Sequence, residues 1–557
     1  MPDLKPAFSA ASKKDTLLSR RYIEGQIADG KHVIIFENRV LKVDAWIKFH
    51  PGGDKSIKHM VGRDATDEIN ALHSKEARRH MLSFQIGRIN GPWLNFLPPI
   101  QGGKFRPYSH EDCSSEDDSS SQGNSTPPSP IFDTQQSAPG MRRRKSSSTT
   151  DSSVSTPPSE EFNPKPFFLD ARTQEEIVFD VAKYPSLDTE NQESIKQKYR
   201  KLDHRIRAEG LYQCNYFSYF IECCRYTLFA GLSYLFLRLG WYATSGFFLG
   251  FFWHQLVFTA HDAGHMGITH NFHVDSVIGI IIADYLGGLS LGWWKRNHNV
   301  HHIVTNAPEH DPDIEHMPFF AISHRFLNSL RSTYYDRLMD FDAAAKVFLP
   351  YQNYLYYPIL LFGRFNLYRL SWEYLVMGQA PKKGPAWWHR WFEIAGQVFF
   401  WTWFGYGILY CTIPNWSGRF TFIMISHMVT APLHVQITLS HFAMSTADLG
   451  VHESFPQKML RTTMDVDCPT WLDFFHGGLQ FQAIHHLYPR IPRHNLRRTQ
   501  KLIMEFCRDT GIPYAVFTFY DGNKEVIGKL ADVAKQVRIL EECRKSCAEQ
   551  GVFSDHH

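Results

Sequence analysis

The sequence predicts a multidomain chain, with a small α+β domain at the N-terminus and an all-α integral membrane domain of about four transmembrane helices after it. Three observations lead there. Residues 18–95 mix short β-type runs with helical segments, and a Ser/Thr/Pro-rich stretch follows at 108–162. Beyond residue 210 the chain turns strongly apolar and aromatic. The 557-residue length alone exceeds what one core holds, so two or more domains are expected.

In the first domain (18–95), HVIIFENRVLKV carries the β-type runs, and the stretches around Ala45–Met60 and Asp67–Phe84 read as helices. The segment 108–162 is poor in apolar residues and reads as a disordered linker, because it cannot bury enough surface to offset the entropy of ordering. Arg142-Arg143-Arg144-Lys145 followed by three serines is a candidate phosphorylation site, or a solvated basic run.

The membrane domain is expected at 205–520, with a helical tail at 521–557. Two spans are expected within Tyr219–Ala260, turning near Gly240. Two more are expected at Phe392–Ile413 and Phe420–Leu439, turning near Pro414-Asn415. Each approaches the ~20 residues that cross ~30 Å of hydrocarbon. Val274–Trp294 contains Asp284, and Tyr351–Tyr374 contains Arg364 and Arg369, so both are expected as interfacial or re-entrant helices. The hairpin turns carry little charge, whereas the long middle segment and the tail are basic. Four spans then leave every histidine-rich motif on the cytosolic side.

The net charge of +3 gives no sign of a nucleic-acid partner. The nine cysteines form no CxxC pair and read as reduced thiols. The first twenty residues lack an apolar signal core, so the N-terminus is expected in the cytosol.

His50-Pro51-Gly52-Gly53 follows an apolar turn, and His73 lies beyond Asp64-Ala65-Thr66-Asp67-Glu68. Two neutral imidazoles from opposite walls of a crevice would hold a six-coordinate haem iron, leaving electron transfer as its chemistry. The glycines would let backbone approach the porphyrin edge. His59 and His80 are the alternatives to His73; His59 is too close in sequence to His50 to reach the opposite wall. HPGG with DATDE and a downstream His-Ser resembles the cytochrome b5 family. That resemblance implies haem b held by His50 and His73, and it disfavours His80, which lacks the His-Ser context.

Three clusters follow in the membrane domain: His261-Asp262-Ala263-Gly264-His265, His298-Asn299-Val300-His301-His302 and Gln482-Ala483-Ile484-His485-His486. Spacings of three and four put each set on one helix face. Thiolate-free imidazole ligation suits iron, copper, nickel or zinc, and seven imidazoles exceed the need of one ion, so two metals are expected. Gln482 is a neutral, weaker donor than imidazole.

The HDxxH, HxxHH and QxxHH pattern resembles the integral-membrane fatty-acyl and sphingolipid desaturases. The third-box Gln marks their front-end group, which typically carries a fused cytochrome b5. The resemblance implies two non-haem iron ions, O2 as co-substrate and removal of two hydrogens from adjacent methylenes. It also implies a membrane-lipid substrate and electrons from NADH through cytochrome b5 reductase and the fused haem domain. An endoplasmic reticulum, multi-pass location goes with it. Related desaturases use a further histidine upstream of the third box; His427, His434 and His441 are candidates, and His441 is preferred. His310-Asp311-Pro312-Asp313 is expected to support the site without ligating. The Ser-rich insertion and the residues near the haem site resemble fungal Δ8 sphingolipid desaturases, which act on the long-chain base of ceramide to give a trans product. A Δ5/Δ6 acyl desaturase is the alternative, and a hydroxylase on the same scaffold is a further one.

Overall fold

The computed structural model describes residues 14–109 and 164–549. The basic run at 142–145 and almost all of 108–162 lie outside the described residues.

The N-terminal unit begins with α1 (Arg20–Ala28), capped by the Ser19 hydroxyl, which accepts from the Tyr22 N–H. Three antiparallel strands follow in the order β1 (Val33–Phe36), β2 (Arg39–Lys42), β3 (Gln85–Arg88). Glu37 and Asn38 join β1 to β2 with φ of 48° and 61°. This is the two-residue, doubly left-handed turn whose twist matches that of the flanking strands. Alternate residues of β1 enter two cores. Val33 and Ile35 pack with Ile23, Ile27 and Val40. Ile34 and Phe36 pack with Leu41, Met60 and Ile69, and this second core continues into Val300, Ile303 and Val304 of the membrane domain.

The stretch Ala45–Met60 is not one helix. A single 3-10 turn, Ile47–Phe49, precedes the HPGG turn, and α2 (Asp54–Lys58) starts only after Gly53 at φ +85°. Asp67–Phe84 likewise breaks into α3 (Thr66–Leu72) and α4 (Lys75–Met81), with His73 extended between them.

Two 20-residue helices that the sequence reading does not anticipate come next, α5 (Pro164–Lys183) and α6 (Thr189–Ala208). α6 buries Ile195, Tyr199, Leu202 and Ile206 against the segments around Phe455 and Phe506.

A hairpin of α7 (Tyr216–Arg238) and α8 (Tyr242–Gly264) turns at Gly240, which adopts φ +76°. Next come α9 (Phe272–Ile280), continued by a π-helical turn at Ile281–Leu286, and α10 (Leu291–Val304). These two arms are bent by 117° at the break between them. After α11 (Ala343–Phe348), α12 (Gln352–Leu360) and α13 (Gly363–Val376), α14 (His389–Phe400) runs into a π-helix at Trp401–Thr412. α15 (Trp416–Met428) and α16 (Ala431–Phe442) follow.

Among the described residues, Tyr216–Arg238 and Trp416–Phe442 are long and apolar enough to cross a membrane, and the bent pair would add a third span. The other two expected crossings exist as helices but fall below that mark, since α8 carries His254, Gln255 and the first histidine box. α8 and α15 pack closely through Gly246 and Gly250. A Cβ at Gly246 would meet the Phe422 carbonyl at 2.9 Å, and one at Gly250 the Ser426 carbonyl at 2.6 Å. Arg364 does not interrupt an exposed surface. It is buried, donates to the Gly287 carbonyl and lies 4.1 Å over the Trp253 ring.

The C-terminal part contains α17 (Phe455–Thr462), α18 (Asp473–His476), α19 (Gln482–Leu487), α20 (Leu496–Thr510) and α21 (Phe519–Glu549). Two parallel three-residue strands, Asp465–Asp467 and Val516–Thr518, tie the entry to α18 to the entry to α21. α21 buries Val526, Leu530, Val533 and Val537 in the core shared with Tyr356 and Leu439.

Candidate metal centre and haem site

The three histidine boxes lie on α8, α10 and α19, and they converge at one buried place with α16. Their donor atoms form two all-histidine groups, each within 4.8 Å: His261, His265, His298 and His485, and His301, His441 and His486; His298 and His301 also come within that distance of Asp313. Adjacent residues therefore serve different groups, because neighbouring side chains on a helix point ~100° apart. His302 stands between the groups. Its Nε2 is 3.1 Å from His298 Nε2, and its ring stacks on His486 at 4.3 Å. Gln482 is buried at the start of α19, one turn before His485. Of the three candidates upstream of the third box, His441 joins a cluster. His427 instead bonds the Ile423 carbonyl at 2.8 Å and stacks on Phe365, and His434 packs at Gly363.

The donor chemistry fits metal ions. His301 Nε2 lies 3.3 Å from His441 Nε2 and 3.2 Å from His486 Nε2, so imidazole lone pairs converge on a common point. His265 Nε2 and His485 Nε2, both of the first group, are buried with no hydrogen-bond partner. Buried polar atoms without partners are costly, and a cation at the convergence point would remove that cost.

The surroundings orient the rings. His301 Nδ1 donates to Asp311 at 2.8 Å, and His298 Nδ1 faces Asp313 at 3.4 Å. A carboxylate on one ring nitrogen fixes the tautomer and leaves the other nitrogen free to ligate. Asp311 also accepts the backbone N–H groups of Asn306 and Asp313. His310, the first residue of that motif, points away and bonds Thr333. Trp294 stacks on His298 at 4.6 Å, and a Cβ at Gly264 would collide with the Trp294 ring, which explains the glycine of the first box.

Several supporting residues carry no signal in the sequence. Arg493 donates to both Asp262 and Glu222, and Tyr219 donates to Asp262, tying the first box to the chain that follows the third. Asp465 accepts the Ala483 N–H at 2.7 Å and so anchors the start of α19.

In the N-terminal unit the His50 and His73 rings face each other with centroids 5.8 Å apart. That gap admits one ion with metal–nitrogen bonds of ~2 Å. His50 Nδ1 donates to the Gly53 carbonyl at 2.8 Å, and His73 Nδ1 faces the Ile69 carbonyl at 3.3 Å, so both Nε2 atoms are free to ligate. Burial pushes both imidazoles down, His73 to about 3, so both are neutral, the form that binds metal. The alternatives sit elsewhere: His59 bonds Gln101 at 2.9 Å, and His80 lies against Trp46 and Phe84.

The HPGG turn rests on the second-box helix. A Cβ at Gly52 would meet Asn299 Nδ2 at 2.7 Å, and one at Gly53 would meet Arg296 Cγ at 3.0 Å. Asp54 pairs with Arg296 at 2.9 Å, Lys55 with Asp336 at 2.6 Å and Asp67 with Arg200 at 2.7 Å.

A haem-type module docked on a helical membrane domain with two histidine clusters defines a membrane oxidoreductase. Family models agree: "Fatty acid desaturase" matches residues 239–518, and "Cytochrome b5-like Heme/Steroid binding domain" matches residues 20–90. The chain belongs to the fatty acid desaturase family and carries a fused cytochrome b5-like domain. It is 79% identical over 548 residues to the Delta 8-(E)-sphingolipid desaturase of Emericella nidulans, covering 98% of this chain and all of that one. It is 49% identical over 553 residues to the protein of that name in Kluyveromyces lactis, covering 97% and 96%. The Delta(8)-fatty-acid desaturase of Helianthus annuus is 36% identical over 360 residues, covering 62% and 75%. The cytochrome b5-like domain implies haem and the desaturase family implies iron, and the histidine clusters fit both.

Proposed function

We propose that the chain is a Δ8 sphingolipid desaturase that introduces a trans double bond into the long-chain base of ceramide. The near-full-length similarity to sphingolipid desaturases supports the substrate. The observation that carries the chemistry is the division of the imidazoles into two adjacent buried groups. His261, His265, His298 and His485 hold one non-haem iron, and His301, His441 and His486 hold the other. His302 lies between them, and Gln482 contributes a neutral donor or holds a water.

Two iron ions bound there supply the oxidising power of O2. The remaining work falls to the chain. Asp311 and Asp313 keep His301 and His298 in the ligating tautomer. Arg493 and Asp262 fix the first box against the third. Burial of the clusters keeps bulk water away from the reacting methylenes. One hydrogen leaves each of two adjacent carbons, and with O2, two electrons and two protons the products are the alkene and two waters.

His50 and His73 hold haem b, and electrons reach it from NADH through cytochrome b5 reductase. The protein crosses the endoplasmic reticulum membrane four times, with the N-terminus and the histidine boxes cytosolic. Exposed Trp241 and Trp416 at the two hairpin turns support this, as interfacial anchors at the end of the helices away from the boxes.

The deciding experiment expresses the chain in a host that lacks sphingolipid desaturation. The expected product is a long-chain base with a new trans C8–C9 double bond, lost on changing His301 or His485 to Ala. A hydroxylated base, or desaturation confined to acyl chains, would overturn the assignment.

A further inference from the structure

We infer that Asp54, Arg296 and Asn299 hold the haem domain on the membrane domain in one fixed pose, and that the contact of Gly52 with Asn299 is the route by which the two metal sites communicate. The inference rests on the reading of the fused domain as electron donor, and it adds where and through which residues the donor docks.

The contact is a multi-point fit. The haem domain engages four separate segments of the rest of the chain. Asp67 pairs with Arg200 on α6, and Asp54 pairs with Arg296 on α10. Lys55 Nζ donates to the Thr333 carbonyl at 2.8 Å as well as pairing with Asp336. The Asn95 amide donates to the Val451 carbonyl at 3.0 Å. Lys55 and Asp67 are buried, while their partners Asp336 and Arg200 keep 68% and 38% of their side chains exposed, so solvent screens these pairs in part. Beneath them the apolar core of the haem domain runs without a break into Val300, Ile303 and Val304. An encounter surface visited only transiently would be wetter and less interlocked than this.

The route is short. His50 is two residues from Gly52 along the chain. Gly52 packs beside the Asn299 amide, where a Cβ would come within 2.7 Å of Nδ2, and Asn299 follows His298 directly in the chain. Any side chain at 52 would occupy the space where Asn299 makes this approach. In this chain the HPGG glycines therefore serve the docking contact, beside whatever they do for the porphyrin edge. Each passage leaves the haem iron oxidised by one electron and one non-haem iron reduced by one. Two passages serve one double bond, and an NADH-dependent flavoprotein re-reduces the haem between them.

The test uses the full-length holoprotein in lipid nanodiscs, with Asp54→Arg, Arg296→Asp and the double exchange that restores opposite charges. Three quantities are read: backbone hydrogen exchange at residues 50–58 and 291–304, the haem absorption spectrum, and the rate of haem reoxidation on adding O2 and ceramide. Each single reversal is expected to speed exchange in both segments and slow reoxidation about ten-fold, with an unchanged spectrum. The double exchange is expected to recover most of both. Single variants with wild-type exchange would overturn the docked pose. Exchange that loosens while reoxidation stays at the wild-type rate would overturn the route. A double variant no better than the singles would remove the Asp54–Arg296 pair from the account. The donor reading fails separately, if wild-type haem is not reoxidised by O2 and ceramide; exchange still reports the pose in that case.

Discussion

Asp311→Asn isolates the support of one metal group from its ligands. Asp311 is fully buried. One carboxylate oxygen accepts from His301 Nδ1 at 2.8 Å and from the Asn306 N–H at 2.7 Å, and the other accepts from the Asp313 N–H at 2.9 Å. Asn keeps the shape but replaces one oxygen with a donor. Whichever way the amide turns, its NH2 faces at least one N–H that it cannot satisfy. The loss is one charge-assisted hydrogen bond, ~1.5–3 kcal/mol, plus a buried donor clash. Where the NH2 turns towards His301, its ring is no longer held in the ligating tautomer; where it turns towards Asp313, His301 keeps a neutral and weaker acceptor. Changes to residues that orient a metal ligand cost ~10–100-fold in metal affinity, and the same range is expected here. The assay is iron content of purified protein equilibrated against graded chelator. Loss of one iron of two at lower chelator strength is expected, from the His301–His441–His486 group. The His261–His265–His298–His485 group should keep its iron. Wild-type retention of both irons would refute the reasoning, because it would mean that Asp311 serves only its backbone partners.

Three further outcomes are expected. His73→Ala abolishes the low-spin bis-histidine spectrum of the haem domain while His80→Ala keeps it, since His80 packs on Trp46 and Phe84 instead of facing His50; absorption spectra of the two variants decide this. Arg461→Met leaves Glu453 and Asp180 buried without their shared partner and lowers stability by ~3–5 kcal/mol, read as a fall in the melting temperature. Burial raises Glu315 to about 8, so the folded chain keeps a proton there that the unfolded chain releases above its ordinary carboxylate range. Stability from this group is full below about pH 4.5 and declines by up to ~1.4 kcal/mol per unit as pH rises towards 8. Glu315→Gln removes that decline, and pH-dependent melting of the two proteins should diverge upward from about pH 5.

What can be read from the chain and what cannot divide along sequence distance. The histidine boxes are legible because three- and four-residue spacing is a local property of a helix. The same holds for the β1–β2 hairpin. The ion pair of Arg493 with Asp262 joins residues on α8 and beyond α19, and no spacing rule signals it. The sequence marks the His310–Asp313 motif as a support for the site, but its partners His301 and His298 emerge only because the chain after α10 folds back on its own helix. α6 does leave a trace: its buried residues Gln192, Ile195, Tyr199, Leu202 and Ile206 recur at helical intervals. They are few among many charges, and most of their partners lie at Phe455 and beyond, so the stripe is faint when read locally. The HPGG turn is legible as a haem feature only, because its second neighbour, Asn299, belongs to another domain.

The splitting of adjacent histidines between the two metal groups makes each helix a ruler. His485 and His486 are consecutive, yet one faces each all-histidine group; His298 and His301 on α10 also join different groups, though both approach Asp313. Inserting a single residue within either box would rotate everything beyond it by ~100° and shift it by ~1.5 Å, swapping or losing members of both histidine groups at once. The offset between the two histidine groups is thus set in part by covalent spacing on α10 and α19, while α8 and α16 each complete one group.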